Sequence, residues 1–333
     1  MNKKVLVTGG AGYIGSITCQ VLKENGFTPI IFDNLITGHK HPVKEFQLYQ
    51  GGLQKDSNLL KEVFAKEKPE AVIHFAAWSL VGESVTDPQK YFLNNDVGTL
   101  NLLREMLSAK VLKFVFSSTA ATYGEPEKVP IDEDDPKDPT NPYGESKLII
   151  EKFLKWYGQA YNLSSVALRY FNACGAALDG KIGEDHQPES HLIPLTIQAA
   201  MGKRKEFKIF GDDYKTPDGT CIRDYIHVLD LAQAHVDALK SFDQKGNEGF
   251  RAYNVGTSNG FSVKQVVEMV KEISKIDFET PIGERRAGDP AQLVAKADKI
   301  KKELGWSPQY SDLKTIVQSA WKFHNLYPDG YPE

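Results

Sequence analysis

The chain has 333 residues, a hydrophobic fraction of 41%, a charged fraction of 25% and a formal net charge of -4. These values fit a globular protein of one large or two closely packed domains, and they give no electrostatic reason to expect nucleic acid or an anionic membrane as a partner. The three cysteines show no metal-ligand spacing and no disulfide framework, and no apolar run approaches the ~20 residues of a membrane span, so we expect a protein of the reducing cytoplasm.

Short apolar strands alternate with helical segments through the first half of the chain. Strands are predicted at residues 5–8, 29–32, 71–75, 114–116 and 165–168. A helix over residues 13–25 follows the first strand, and Gly26 can end it. This alternation predicts right-handed βαβ crossovers, and therefore an α/β fold with a doubly wound parallel sheet of the Rossmann type.

A glycine-rich loop joins the first strand to the first helix. Residues 8–15, TGGAGYIG, contain two overlapping glycine triplets, Gly10/Gly12/Gly15 and Gly9/Gly12/Gly15. Missing side chains let the backbone approach a pyrophosphate, which the helix N-terminus attracts. Asp33 ends the second strand, where its carboxylate can accept hydrogen bonds from the adenosine ribose and would repel a 2′-phosphate. The loop predicts a dinucleotide fold that prefers NAD to NADP, although Asp33 could also cap a turn with Asn34.

A tyrosine and a lysine four residues apart form a candidate base. Tyr143 and Lys147 lie one turn apart on a predicted helix, downstream of a strand that ends Ser117-Ser118-Thr119. A lysine charge beside a phenol can lower the tyrosine pKa from about 10 towards neutrality, which makes the phenolate a proton acceptor for a hydroxyl group. The spacing alone is not specific, because Tyr310 and Lys314 repeat it without a glycine loop or a Ser/Thr-terminated strand in their half.

Three arginines in the second half favour a substrate that carries phosphate. Only seven of the 40 lysines and arginines are arginines, so arginine is not the general surface cation. Arg223, Arg285 and Arg286 lie in two short motifs of the second half. Guanidinium groups bind phosphate bidentately, so these arginines could bind a phosphorylated substrate. Alternatively, they could form ion pairs with Asp224 or Asp289 that hold loops in place.

These motifs together resemble the extended short-chain dehydrogenase/reductases. The similarity rests first on the glycine loop, on Thr119, Tyr143 and Lys147, and on residues 74–77, HFAA. Segments that are similar to the UDP-glucose 4-epimerases within that group are residues 81–84, 168–172, 182–185, 210–214, 218–228 and 285–289. The resemblance runs from residue 4 to about residue 331. It implies C4 inversion of UDP-glucose and UDP-galactose in galactose metabolism, through a transient 4-keto sugar.

The resemblance also implies partners and site residues. It implies NAD as the cofactor, a UDP-sugar as the substrate, no metal, and a homodimer formed through two helices. The residues implied to contact NAD are Gly9, Gly12, Tyr13, Ile14, Gly15, Asp33, Asn34, Phe75, Ala76, Ala77, Asn94, Thr119, Tyr143, Lys147 and Phe171. Those implied to contact the UDP-sugar are Asn172, His191, Leu192, Lys208, Ile209, Phe210, Arg223, Arg286, Asp289 and Leu293.

The implied catalytic residues are Tyr143, Lys147 and Thr119. Tyr143 would take the proton of the 4-hydroxyl group, Thr119 would hydrogen-bond the reacting oxygen, and Lys147 would bind the nicotinamide ribose. Arg223 and Arg286 would hold the diphosphate. The predicted domains are residues 1–172 for NAD, with residues 224–256 returning to them, and residues 173–223 and 257–333 as a smaller mixed α/β domain for the UDP-sugar.

Several positions depart from the family pattern. Threonine replaces the usual serine at Thr119 but keeps the hydroxyl group. Gly52 and Ser79 stand where many relatives carry an acid and a lysine near the cofactor, which leaves the tightness of NAD binding open. His191 stands where an asparagine is common. Leu293 has a size that predicts an intermediate sugar pocket, one that can admit N-acetylated hexoses.

Three other functions fit parts of the sequence. A nucleotide-sugar 4,6-dehydratase shares the fold, but similar dehydratases carry Asp-Glu after the threonine, where this chain has Ala120-Ala121. A UDP-pentose 4-epimerase acting on xylose and arabinose shares the chemistry, and residues 184–194 also resemble that subgroup, so this alternative stays open. A non-catalytic dinucleotide sensor would keep the glycine loop without needing Thr119, Tyr143 and Lys147 together.

Overall fold

Fourteen strands form the sheets of the described part of the chain, and the first six in chain order begin in its first half. The structure is a computed structural model and describes residues 3–204, 206–244, 248–286 and 289–332. The strands are β1 (Lys3–Thr8), β2 (Phe27–Asp33), β3 (Gln47–Gln50), β4 (Ala71–His74), β5 (Lys113–Thr119), β6 (Ser164–Tyr170), β7 (Asn172–Cys174), β8 (Ile209–Phe210), β9 (Ile222–Arg223), β10 (Tyr225–His227), β11 (Phe250–Val255), β12 (Phe261–Ser262), β13 (Ile282–Gly283) and β14 (Gln292–Leu293).

A parallel sheet of seven strands has the order β11-β6-β5-β4-β1-β2-β3. The chain first adds strands on one side of β1, and then returns to pair β4 with the other side of β1. The predicted doubly wound α/β fold is therefore confirmed. In such folds ligands bind at the carboxyl ends of the strands, where the strand order reverses. Here that point lies between β1 and β4.

Eleven α-helices connect or cover the strands of the described chain. They are α1 (Tyr13–Glu24), α2 (Ser57–Glu67), α3 (Val81–Thr86), α4 (Pro88–Tyr91), α5 (Gly98–Ser108), α6 (Pro142–Tyr161), α7 (Leu192–Ala200), α8 (Val228–Ser241), α9 (Val263–Ser274), α10 (Asp298–Leu304) and α11 (Leu313–Leu326). Two 3₁₀ turns (His41–Val43 and Ala120–Tyr123) and a π-helical turn (Phe92–Val97) complete the helical structure. Within the described ranges, no helix combines the length and apolar character needed to cross a membrane.

Local sequence signals set the ends of the two helices that matter for the site. α1 ends at Glu24, and Gly26 then adopts a φ of +80°, as expected for a glycine that terminates a helix. α6 begins at Pro142, a favoured first residue, and the side chain of Asn141 accepts a hydrogen bond from the backbone nitrogen of Gly144 at 2.9 Å. This start fixes Tyr143 in the first turn of α6.

Each face of the central sheet carries its own hydrophobic core. Side chains alternate along a strand, so Val5 and Val7 of β1 enter one core while Leu6 enters the other. The first core includes α1 and α8, and the second includes α2, α5 and α6. Burial on both faces explains why these strands are continuous apolar runs.

The chain returns to the central sheet after residue 224. β11 pairs in parallel with β6 from Phe250 opposite Ser165 to Val255 opposite Tyr170. α8 packs on α1. The remaining second half forms small sheets, β10-β7, β12-β9-β14 and β13-β8, with α7, α9 and α11 around a separate core.

Candidate active site

A cavity of about 510 Å³ lies at the carboxyl ends of β1, β2, β4 and β5. Its lining includes all the residues that the family resemblance implies for NAD: Gly9, Gly12, Tyr13, Ile14, Gly15, Asp33, Asn34, Phe75, Ala76, Ala77, Asn94, Thr119, Tyr143, Lys147 and Phe171. The two divergent positions, Gly52 and Ser79, also line it. We call this space the dinucleotide cavity.

The three glycines of the glycine-rich loop that line the cavity have different physical reasons to be glycine. A Cβ on Gly9 would lie 2.4 Å from the backbone nitrogen of Ala76, and one on Gly15 would lie 2.2 Å from the carbonyl oxygen of Gly9. A Cβ on Gly12 would meet its nearest atom, again the Gly9 oxygen, at 3.4 Å. Gly9 and Gly15 are thus required by the fold, whereas Gly12 leaves space for a ligand at the start of α1. Gly10 is not part of the lining, so the wider triplet, Gly9/Gly12/Gly15, is the one that faces the cavity.

Asp33 serves the loop and also faces the cavity. Its Oδ2 accepts a hydrogen bond from the Ala11 nitrogen at 2.9 Å, and its Oδ1 accepts one from the Leu35 nitrogen at 2.8 Å. Burial raises the pKa of this carboxyl, and the two backbone hydrogen bonds oppose the rise. A carboxylate has about four acceptor sites, so acceptor capacity remains for ribose hydroxyl groups. Asp33 can therefore hold the turn and still accept hydrogen bonds from an adenosine ribose.

Thr119, Tyr143 and Lys147 all line the dinucleotide cavity. The nitrogen of Lys147 lies 5.9 Å from the centre of the Tyr143 ring and donates a hydrogen bond to the Ser117 carbonyl at 2.9 Å. The Thr119 hydroxyl accepts a hydrogen bond from the Ala121 nitrogen at 3.1 Å. The hydroxyl proton of Thr119 is therefore available for a hydrogen bond to the Tyr143 oxygen. This hydrogen bond lowers the pKa of Tyr143 and so favours the phenolate.

Burial changes the expected acidity of this group. We expected Lys147 to lower the pKa of Tyr143, but burial raises the pKa of Tyr143, and the Thr119 hydrogen bond offsets only part of that rise. Burial also lowers the pKa of Lys147 to about 7, against the opposing charge of Asp96. The expectation of a lowered tyrosine pKa is wrong for the chain alone, because desolvation disfavours the charged form of both side chains.

Tyr310 and Lys314, the second pair with the same spacing, do not form a comparable group. α11 begins at Leu313, so Tyr310 precedes the helix that carries Lys314. The Lys314 nitrogen lies 3.8 Å from a carboxylate oxygen of Glu272, at the surface. Neither residue lines the dinucleotide cavity.

A second cavity of about 880 Å³ adjoins the first. Its lining includes nine of the ten residues implied for the UDP-sugar, namely Asn172, His191, Leu192, Lys208, Ile209, Phe210, Arg223, Arg286 and Asp289. The tenth, Leu293, lines the dinucleotide cavity. Asn172, Glu184, His191, Arg223 and Asp289 line both, so the two spaces share a wall.

The three arginines of the second half have different environments. A guanidinium nitrogen of Arg223 lies 3.3 Å from a carboxylate oxygen of Asp289, so Arg223 forms the ion pair expected as an alternative to phosphate binding. It also lines both cavities. The guanidinium of Arg286 stacks 4.0 Å above the ring of Phe210 in the second cavity. Arg285 pairs instead with Asp213, and it lines neither cavity. Arg223 and Arg286 are the two that could contact a diphosphate.

Two acidic residues near the site were not singled out from the sequence. Glu184 is buried on the shared wall, and its Oε1 lies 2.5 Å from Nδ1 of His191. It belongs to the 182–185 segment of the family resemblance, which gave it no role. Asp96 is buried in the π-helical turn, and its Oδ1 has no hydrogen-bond partner among the described residues. No sequence signal identified Asp96, because its burial depends on that turn.

The comparisons with known proteins agree with this geometry. The chain matches the model of the NAD dependent epimerase/dehydratase family over residues 5–256. It is 52% identical over 327 residues to a UDP-glucose 4-epimerase of Halalkalibacterium halodurans, covering 98% of this chain and 97% of the relative.

Solved structures give the same relationship. The structure of UDP-glucose 4-epimerase from Brucella ovis in complex with NAD has a TM-score of 0.92 at 46% identity, covering 95% of this chain and 97% of that one. The enzyme from Bifidobacterium longum in complex with NAD+ and UDP has a TM-score of 0.92 at 38% identity, covering 99% and 100%. The chain therefore belongs to the NAD dependent epimerase/dehydratase family and, within it, to the UDP-glucose 4-epimerases.

Proposed function

We propose that this chain is an NAD-dependent UDP-glucose 4-epimerase, which interconverts UDP-glucose and UDP-galactose in galactose metabolism. The observation that carries the proposal is the position of Thr119, Tyr143 and Lys147 in a dinucleotide cavity that shares a wall with a second cavity carrying Arg223 and Arg286. An enzyme that oxidises a nucleotide-linked sugar needs both spaces side by side.

The chemistry follows from the nature of the sugar carbon. The C–H bond at C4 of a hexose is not acidic, so simple proton abstraction cannot invert it. Oxidation to a 4-keto sugar makes C4 planar, and bound NAD⁺ supplies the hydride acceptor and later the hydride donor. In our proposal Tyr143 accepts the proton of the 4-hydroxyl group and returns it after the sugar has turned over. Thr119 holds the reacting oxygen by hydrogen bonding.

The remaining residues would hold the substrate by its nucleotide end. Guanidinium groups of Arg223 and Arg286 suit the diphosphate, and Asp289 suits the uridine ribose. Asn172 would bind a phosphate or sugar oxygen, and residues 208–210 would border the uracil. If the nucleotide anchors the substrate in this way, the keto sugar is free to rotate and to take hydride on its other face.

Turnover without added NAD tests the proposal. The purified chain is incubated with UDP-galactose, UDP-glucose, their N-acetyl forms and UDP-xylose, and the products are resolved by chromatography. We expect UDP-glucose and UDP-galactose to interconvert, because the transferred hydride returns and no NAD is consumed. Fastest turnover of UDP-xylose would favour the pentose alternative. Turnover of UDP-N-acetylglucosamine would agree with the intermediate size of Leu293.

A matched pair of tyrosine variants tests the base. Tyr143→Phe should lower kcat about 1000-fold, within the range for loss of a positioned proton acceptor. Tyr310→Phe removes the same hydroxyl from the other Tyr-x-x-x-Lys pair, and it should leave kcat unchanged. Equal activity of the two variants would contradict the assignment of Tyr143.

We further propose that two chains form a homodimer through neighbouring helices of the NAD-binding half. Val85 of α3, Leu93 and Val97 of the π-helical turn, and Trp156 of α6 are apolar side chains that are 42% to 66% exposed. α6 packs against both α3 and the π-helical turn. Trp156→Glu combined with Leu93→Glu should give a monomeric mass in light scattering, whereas an unchanged dimer mass would contradict this surface.

The location in the cell is also inferred. The three cysteines, Cys19, Cys174 and Cys221, are free and buried. Free thiols suit a reducing compartment, so we propose the cytoplasm.

A further inference from the structure

Two histidines and two glutamates cluster at and beside the wall shared by the two cavities. Glu184, His186, Glu189 and His191 each offer one ligand atom, and these atoms all lie within 4.8 Å of one another. Oε1 of Glu184 lies 3.2 Å from Nδ1 of His186 and 2.5 Å from Nδ1 of His191. Nδ1 of His191 lies 3.6 Å from Oε1 of Glu189.

Three of the six separations between these four donor atoms can be compared with those of a tetrahedral metal site, and the other three are at most 4.8 Å. Zinc–nitrogen and zinc–oxygen bonds of about 2.0–2.2 Å set neighbouring donor atoms roughly 3.3–3.6 Å apart in a tetrahedron. Two of the three distances, 3.2 Å and 3.6 Å, match this spacing within about 0.1 Å, and the third, 2.5 Å, must open by nearly 1 Å. The donor set of two imidazoles and two carboxylates suits Zn²⁺ and its neighbours better than Ca²⁺ or Mg²⁺.

The surroundings allow a cation to enter and compensate its charge. The two carboxylates together balance a divalent cation. The Glu184 side chain is 4% exposed, whereas those of His186 and His191 are 31% and 53% exposed. The buried glutamate is thus a fixed ligand, and the two histidines can adjust. His191 precedes α7 as its N-cap without a side-chain capping bond, so its imidazole is not needed to start that helix.

We propose that Glu184, His186, Glu189 and His191 form a binding site for a divalent transition-metal cation of the Zn²⁺ class. Because Glu184 and His191 line both cavities, a cation held there changes the wall against which the substrate lies. We also infer that Zn²⁺ bound at this site slows epimerisation reversibly, which rests on the proposed function.

Direct binding tests the site without any assay of activity. Isothermal titration with Zn²⁺ should show one site per chain in the wild type. Glu189→Gln and His186→Gln should each weaken Zn²⁺ binding at least about tenfold, and the double variant should abolish it. Glu268→Gln, which changes an exposed glutamate on α9, is the charge-matched control and should bind Zn²⁺ like the wild type. Unfolding midpoints within 2 °C of one another would show that the variants are folded.

Two results would overturn the site. Equal Zn²⁺ affinity of the double variant and the wild type would show that other groups bind the metal. X-ray absorption of the zinc-loaded chain should show two imidazole ligands, and a spectrum without them would exclude His186 and His191.

The kinetic part is measured on the same proteins. Zn²⁺ should inhibit the wild type and Glu268→Gln at equal concentrations, and a chelator should restore activity. Among described residues, Glu189 belongs to neither cavity lining, so Glu189→Gln should keep the uninhibited rate. Its half-inhibitory Zn²⁺ concentration should rise at least about tenfold. Zinc bound one to one with no loss of rate would overturn the inhibition. A wild type with no epimerase activity at all would instead contradict the proposed function, whatever the titration shows.

Discussion

The charge of Lys147 depends on a residue outside the predicted site. Lys147 is 2% exposed, and burial lowers its pKa to about 7. The carboxylate of Asp96 opposes that decrease, and burial raises the pKa of Asp96 to about 7 in turn. Each group therefore favours the charged form of the other at neutral pH. The charge that Lys147 offers to a bound nicotinamide ribose is set by this pair.

Replacing Asp96 should shift the pH dependence of epimerisation. Asp96→Asn removes the charge that raises the pKa of Lys147, so Lys147 loses its proton at a lower pH. The alkaline limb of kcat should move down by about one pH unit. kcat measured from pH 6 to pH 9 checks this, with Asp243→Asn, a surface carboxylate paired with Lys3 and Lys113, as the control. Superimposable profiles for the two variants would contradict the coupling.

The hydroxyl group of Thr119 can be tested by two small substitutions. Thr119→Ser keeps the hydroxyl and should retain kcat within about threefold, as the serine of relatives suggests. Thr119→Val keeps the shape but removes the hydrogen bond to Tyr143, and it should lower kcat about 100-fold. A valine variant as active as the serine variant would exclude Thr119 from catalysis.

Local sequence signals identified the three residues that the structure brings together in the dinucleotide cavity, but not their acidity. Tyr143 and Lys147 follow from a spacing on one helix, and Thr119 from its position at the end of an apolar strand. The direction of the Tyr143 pKa shift did not follow, because it depends on burial by residues far away in the sequence. Asp96 was missed for the same reason.

At the level of elements, different glycines of the loop between β1 and α1 serve folding and ligand binding. The loop turns at Gly9, which has a φ of +73°, and it packs Gly15 against the Gly9 oxygen. Gly12 has a φ of -77° and a ψ of 174°, which any residue can adopt. The backbone therefore does not require a glycine at this position, and we infer that the missing side chain leaves room for a ligand.

Alanine at two positions of the loop should separate these roles. Gly12→Ala should cost about 1 kcal/mol or less of unfolding free energy, the usual penalty at a helix N-cap. It should weaken NAD binding at least about tenfold, because its Cβ occupies the space that a pyrophosphate needs. Gly15→Ala forces a contact of 2.2 Å with backbone and should destabilise the fold much more. Urea unfolding and the NAD content of the purified variants check both, and equal loss of stability would contradict the distinction.

The sequence predicted the elements whose signal is local and missed those whose partners are distant. The buried strands β1, β2, β4, β5 and β6 are apolar runs, and all were predicted close to their observed bounds. β3 lies at the sheet edge with exposed ends and lacks such a run. β8, β9 and β12 to β14 have two residues each, which is too short for a hydrophobic pattern in the sequence. Their pairing depends on contacts between residues that are distant in the sequence.

At the scale of the whole molecule, both halves of the chain build one continuous site. The Tyr13 hydroxyl, from the first turn of α1, donates a 2.7 Å hydrogen bond to the carbonyl of Gly175. Asp224 accepts hydrogen bonds from Thr257, Ser258 and Ala295, which joins β9 and β10 to the loops beside the shared wall. The two cavities thus keep a fixed relation through buried polar contacts.

Buried neutral histidines should make this molecule sensitive to acid. His235 on α8 is fully buried, and burial lowers its pKa to about 4. Its Nδ1 hydrogen-bonds the Leu231 carbonyl at 2.9 Å, and its Nε2 has no partner among the described residues. The unfolded chain binds a proton there below about pH 6.5, whereas the folded chain does not, so the contribution to stability falls as pH falls.

His235→Leu should remove that sensitivity. When the pH falls from 7.5 to 5.5, His235 becomes protonated in the unfolded chain but stays neutral in the folded chain. The wild type therefore loses about 1.4 kcal/mol of unfolding free energy, which corresponds to binding one proton over the one pH unit below the unfolded pKa of about 6.5. Carboxyls with raised pKa values, such as Asp96, act in the opposite direction, so the informative quantity is the difference between variant and wild type. Urea unfolding at both pH values should show that the variant loses about 1.4 kcal/mol less on acidification. Parallel losses in the two proteins would mean that His235 is already protonated in the fold.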